Sequence, residues 1–155
     1  MSLVTSKTAA RIAAIQALYQ YESNGRVQDL NELCDSIVSS YNDQSFKEIF
    51  DIPEEVNISL HKNHFRYLTE FTINNLKSID KLISDNLHGN WKFSNLHLSL
   101  SSLLRVAIAE IIYCQDVPTK VILNEYTNIG SSLAKESEIA FINSLLDKLA
   151  KEKRS

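Results

Sequence analysis

The stretch "QDVPTKVILNE" at residues 115–125 sets a hydroxyl, an amine and a carboxylate close together in Thr119, Lys120 and Glu125. Such a set could act as a nucleophilic site if a base stood beside the nucleophile. No histidine, cysteine or second converging acid occurs in the local sequence, so the hydroxyl lacks its base. The stretch reads instead as a corner between helices. Pro118 fits a first helical turn, where its missing N–H costs nothing, and Asp116 can cap free amides. His61 and His64, three apart on a predicted helix, could offer two ligands to a metal, but no third Cys, His or carboxylate stands at a matching interval. A solvated helix start is the simpler reading. Cys114 closes an apolar run with no histidine partner in view and reads as a buried structural thiol. No GxSxG, GxGxxG, HExxH or phosphate-binding GxxxxGK motif occurs. The chain thus offers no catalytic residue and gives no reason to expect a cofactor or a metal.

Two other sets suit binding. Lys7 and Arg11 are the only charged residues before Glu22 and form one column, four apart, on a predicted first helix. The helix dipole makes cations there unfavourable by a few tenths of a kcal/mol. Either their stems shield apolar surface, or they face a phosphate with help from Ser2, Thr5, Ser6, Thr8 and the free helix amides. Near the other end Phe141 lies about 100° from Ile142 around a helix, in a column with Ser137, Ser144 and Lys148. It is either peripheral core or a platform for an unpaired RNA base. The cations Lys148, Lys151, Lys153 and Arg154 suit a helix C-terminus and need no ligand.

Helices must position these groups. Three glycines and two prolines in 155 residues leave little turn chemistry for an all-β fold. An apolar content of 44% excludes a disordered tail, and the length suits one domain burying roughly two-thirds of its unfolded surface. A net charge of −3 argues against a general nucleic-acid coat, which would be basic. The charge is uneven: residues 22–55 carry nine acids against Arg26 and Lys47, a balance of −7 that leaves +4 elsewhere. A local basic patch is still allowed. Cys34 and Cys114 stand alone without a CxxC partner, as in a reducing compartment. The opening residues show no apolar signal core, and no run approaches 18 apolar residues, so a cytoplasmic protein with no membrane span is expected.

The periodicity predicts a helix over 7–22 with Ile12, Ile15, Leu18, Tyr19 and Glu22 on one face, capped by Thr5 or Ser6 and ended at Gly25. A second follows over 27–38, around Val27, Leu30, Leu33, Ile37 and Val38. Residues 39–59 read as an acidic connection with one short helix. A long helix over 61–87 is broken by "HGNWKFSN", and Ser94 or Asn95 can cap the next. That next helix, 96–114, is apolar except for a stripe of Ser102, Arg105 and Glu110, and should be the central buried one. Helices over 119–132, with Val121, Ile122 and Ile129 inward, and 137–152, burying Ile139, Ile142, Leu145, Leu146 and Leu149, complete the chain. The fold class is all-α: a single domain of two packed helical bundles, 1–90 and 91–155, with about six to seven helices.

Residues 103–152 also resemble the C-terminal half of the NusB family of bacterial transcription antitermination factors. The family pattern L-R-x-A-x-x-E-L/I is met at Leu104 to Ile111, D-I/V-P-x-x-V-x-I/L-N-E at Asp116 to Glu125, and F-V/I-N-G/S-V/L-L-D-K at Phe141 to Lys148. The family's opening A-x-Q-A-L-Y core is met at Ala14 to Tyr19. The resemblance implies a NusB-like helical fold without catalysis, acting in ribosomal-RNA transcription within the elongation complex of RNA polymerase. It implies pairing with NusE, a ribosomal small-subunit protein, and binding of single-stranded boxA RNA. Carried over by position, it assigns RNA contact to Lys7, Thr8, Arg11, Ser137 and Phe141, and partner contact to the neighbourhood of Tyr19, Glu22 and Glu110. Homodimers also occur in the family. This chain departs from the pattern in its reduced N-terminal arginine patch, in Ser144 where glycine is common, and in the lack of a glycine before the last helix. Two alternatives stay open: the NusB-like module found in rRNA cytosine methyltransferases, although no methyl-donor unit follows here, and a helical adaptor without RNA contact, which the net acidity favours.

Overall fold

A computed structural model describes residues 4–87 and 92–154. Among these residues the chain forms eight α-helices and one 3-10 turn, with no strand. The all-α expectation is met, and the count exceeds six to seven because the helix expected over 61–87 is two. The chain divides into two compact units, Met1–Glu70 and Phe71–Ser155. The division expected at 90/91 and the "HGNW" breaker at 88–91 fall outside the described residues. The observed division comes earlier because a helix over Leu76–Asp85 packs on the apolar helix that follows it.

In the first unit, α1 (Ser6–Ser23) is capped by Thr5 and buries Ala9, Ala10, Ala13, Ala14, Ala17 and Leu18. Gly25 (φ 75°) and Arg26 (φ 63°) are left-handed and turn the chain toward α2 (Leu30–Ser40), which packs on α1. Asp29 sets the start of α2, its carboxylate accepting from the backbone N–H groups of Asn31 (3.1 Å) and Glu32 (3.4 Å). The helix therefore begins later than expected, and Val27, expected on its core face, lies in the turn 83% exposed. The acidic connection holds the short α3 (Asp43–Phe50), capped by Asn42. Its apolar minority closes onto α1: Phe46 and Ile58 form a small core with Ala9, joined by Val4, Ile12, Tyr41, Ile52 and Leu60. The Tyr41 hydroxyl donates to the Ile58 carbonyl at 2.5 Å, and the buried Lys47 ammonium donates to the Glu54 carbonyl at 2.7 Å.

The His61 ring Nδ1 accepts from the His64 N–H at 3.2 Å, which starts α4 (Lys62–Asn74). The imidazole serves the backbone, and His64 is buried rather than solvated. Among the described residues no three His, Cys, Asp or Glu gather to hold a metal. The interruption between α4 and α5 (Leu76–Asp85) is local chemistry at Asn75. Its side-chain amide donates to the Phe71 carbonyl at 2.8 Å, the acceptor a continuing helix would give to its backbone N–H. That N–H turns to the Thr72 carbonyl instead, at 3.2 Å.

In the second unit α6 (Leu98–Tyr113) packs against α5, α7 (Thr119–Gly130) and α8 (Glu136–Lys153). It is the central buried helix that its apolar content predicts, but its polar stripe is buried too. Arg105 makes a two-pronged contact with Asp80 at 2.7 and 3.0 Å, 5.2 Å from the Phe93 ring. Ser94 and Asn95, expected caps, sit in the 3-10 turn Phe93–Asn95, and His97 caps α6. Asp116 does not cap α7: Pro118 is the cap residue, and Asp116 makes no hydrogen bond to its amides among the described residues. Ile122 and Ile129 face inward as expected, whereas Val121 is exposed. A Cβ on Gly130 would lie 3.2 Å from Ile142 Cδ1, so glycine there lets α7 approach α8.

Arg154 overturns one expectation. Its guanidinium does not serve the C-terminus of its own helix. It donates to the Ile111, Cys114 and Val117 carbonyls at 2.8 Å and to the Thr119 hydroxyl at 2.9 Å, capping the end of α6 and the corner beyond it.

Candidate functional site

At the opening of α1 the two threonines satisfy each other. Thr5 Oγ1 accepts from the Thr8 N–H at 3.2 Å, and Thr8 Oγ1 accepts from the Thr5 N–H at 3.1 Å. Thr8 and Arg11 are each only 2% exposed. This corrects the expectation that both meet phosphate directly: the hydroxyl is committed to the cap, and the guanidinium is inside the protein. Lys7 keeps part of its surface in solvent. Ser2 lies outside the described residues.

The start of α8 is fixed by Glu138. Its Oε1 accepts from the Lys135 N–H at 2.8 Å, and its Oε2 lies 3.2 Å from His97 Nε2. His97 Nδ1 already accepts from the Leu100 N–H at 3.2 Å, so the neutral ring carries its proton on Nε2 and donates to Glu138. The Lys135 backbone N–H foremost, with His97 assisting against desolvation, holds the Glu138 carboxyl below the usual carboxylate range.

From that fixed start, one face of α8 borders an open concavity of about 440 Å³. Ser137, Ala140, Phe141, Ser144, Leu145 and Lys148 line one side, and Asn86 and Leu87, at the end of α5, line the other. Phe141 is half-buried, and Ser137, Ser144 and Lys148 are exposed. Lys148 Nζ donates to Asn86 Oδ1 at 2.6 Å, while the Asn86 amide nitrogen donates to the Leu82 carbonyl at 2.7 Å. Among the described residues the lining holds an aromatic, two hydroxyls and an ammonium, with no carboxylate. It suits an aromatic base bearing a phosphate. The column Ser137, Phe141, Ser144 and Lys148 read from helical spacing is gathered at one site. Asn86 was not foreseen; it meets Lys148 across 62 residues, and no local pattern marks it.

The expected partner residues fare unequally. Tyr19 is 45% exposed, and Glu22 is half-buried with Arg26 Nε 2.6 Å from its carboxylate. Glu110 is fully buried, its Oε1 accepting from the Tyr126 hydroxyl at 2.6 Å, so it is a core group and not a surface contact. Also in the second unit, Phe71 and Tyr113 stack at 5.3 Å with Tyr113 open to solvent, an exposed aromatic surface that no sequence motif marked.

Known proteins share this chain's pattern. A family model, the NusB family, matches residues 8–151. Transcription antitermination protein NusB of Rickettsia rickettsii (strain Sheila Smith) is 38% identical over 149 residues, covering 96% of this chain and 94% of that protein. Its counterpart from Rickettsia bellii (strain OSU 85-389) is 38% identical over 154 residues, covering 97% and 94%. Among solved structures, T. maritima NusB superposes with a TM-score of 0.74 at 26% identity, covering all of this chain and 96% of that one. A crystal structure of antitermination factors NusB and NusE in complex with dsRNA gives 0.72 at 18% identity, covering 95% and 97%, a likeness of fold.

Proposed function

The chain belongs to the NusB family, and on that premise we propose that it is a non-catalytic, RNA-binding transcription antitermination factor. It works in the cytoplasm, pairs with a NusE protein, and binds single-stranded boxA RNA of nascent ribosomal-RNA transcripts within the RNA polymerase elongation complex. The observation that carries this reading is 38% identity, over 96% of the chain, to a protein named transcription antitermination protein NusB. The fold shared with the NusB–NusE–dsRNA complex supports it. The concavity on α8 supplies a physical means: splayed bases of a single strand can stack on Phe141 while hydroxyls and cations meet the backbone. In this reading Ser137 and Phe141 meet RNA in the second unit, Lys7 is an RNA contact of the first, and the partner face includes Tyr19 and Glu22.

A gel-shift titration of labelled boxA RNA, with and without NusE, tests it. A shift that strengthens when NusE is present is expected. A stable complex with NusE that never takes up RNA would sink the reading in favour of a helical adaptor.

A further inference from the structure

We propose that Lys148 is a phosphate anchor held in place by Asn86, so that the α8 concavity seats one nucleotide, its base on Phe141 and a phosphate at Lys148. The inference rests on the RNA-binding reading above and adds a residue pair that the family pattern did not assign. An ammonium has three N–H donors. One goes to Asn86 Oδ1 at 2.6 Å, which leaves two for a ligand. The partner is a neutral amide, so it fixes the position of the charge without cancelling it. The amide cannot turn freely, because its nitrogen is tied to the Leu82 carbonyl at 2.7 Å.

The carboxylates next in sequence to Lys148 and Asn86 are paired with other lysines. Asp147 pairs with Lys151 at 3.0 Å and Asp85 with Lys81 at 2.7 Å, and among the described residues no carboxylate lines the concavity. The spacing fits a nucleotide. Phe141 and Lys148 lie seven residues apart on α8, about 10.5 Å of helix rise, with Ser144 between them to meet a sugar or phosphate oxygen. The Asn86–Lys148 bond therefore holds a positive charge at one end of an aromatic-lined trough, an arrangement matched to an anion attached to a flat ring.

The test uses the full chain with NusE and a labelled single-stranded boxA RNA, its affinity measured over a series of salt concentrations. Lys148→Gln should weaken binding roughly tenfold and reduce the slope of log affinity against log salt by about 0.7, one phosphate contact on a single strand. Lys148→Arg should restore the slope. Asn86→Asp, which keeps an acceptor for Lys148 but neutralises it, should lose the same slope as Lys148→Gln while circular dichroism shows the fold intact. A packing role for Asn86 would leave the slope unmoved. An unchanged slope in Lys148→Gln, or wild-type RNA binding by Asn86→Asp, overturns the proposal. Failure of the wild-type complex to bind RNA is a different result, the failure of the RNA-binding reading itself, and it appears before any variant is made.

Discussion

The opening of α1 and the outer face of α8 carry the same kinds of residue, hydroxyls beside cations, and use them in opposite ways. On α1, Thr5 and Thr8 are taken up by each other's backbone N–H groups, and Arg11 lies inside the protein. On α8, Ser137 and Ser144 stand at an open concavity, and Lys148 rests against a neutral amide. The neighbours make the difference. Arg11 is 2% exposed, on a helix whose Ala9, Ala10, Ala13 and Ala14 are also buried. On α8 the branched Ile142, Leu145, Leu146 and Leu149 fill the buried stripe and leave the 137–141–144–148 edge outside. A cation's type says little about its employment; whether its helix face is buried or open decides.

Three measurements would break or sharpen this contrast. The largest effect is expected from Arg11→Ala, which removes a fully buried long side chain. It should cost about 3 kcal/mol of stability and lower Tm by several degrees, while RNA affinity per folded molecule and its salt slope hold. A flattened slope at unchanged Tm would make α1 the open site after all. Phe141→Ala comes next. Loss of one stacked base should weaken RNA binding roughly tenfold, with a smaller drop in Tm than Arg11→Ala because the ring is only half-buried. An equal loss of Tm with full RNA affinity would make Phe141 peripheral core.

The smallest effect concerns pH. The Glu138 carboxyl is held below its ordinary value, first by the Lys135 N–H and then by His97. A depressed carboxyl contributes stability above the unfolded-state value and loses it as pH falls through the folded-state value. Tm curves of wild type and Glu138→Gln should therefore differ at neutral pH and converge below the ordinary glutamate range. Parallel curves down to low pH would count against the part Glu138 plays in fixing the start of α8.

The parts legible in the sequence were those decided locally. The Thr5 cap, the left-handed Gly25 and the apolar run of α6 each follow from residues within a few positions. What was hidden depends on competition or distance. Asn75 interrupts a good helical pattern because its side chain takes the Phe71 carbonyl, a rivalry that periodicity does not register. The stripe of Ser102, Arg105 and Glu110 was legible as polar, but not its partners: Asp80 and Tyr126 from other helices take up Arg105 and Glu110. The α8 half of the candidate site was readable from its spacing; Asn86 was not, because α5 supplies it from far along the chain.

Arg154 has a consequence in time. Its four hydrogen bonds reach back 35 to 43 residues, to the end of α6 and the turn into α7. A chain is synthesised from its first residue onward, so the Ile111, Cys114 and Val117 carbonyls exist well before the guanidinium that will meet them. Until residue 154 has been added and the last turn of α8 has docked, those carbonyls lack the guanidinium, although the Cys114 carbonyl already accepts from the Val117 N–H at 3.0 Å. The corner bearing the family's most recognisable stretch is thus finished by a residue 35 to 43 positions further along the chain.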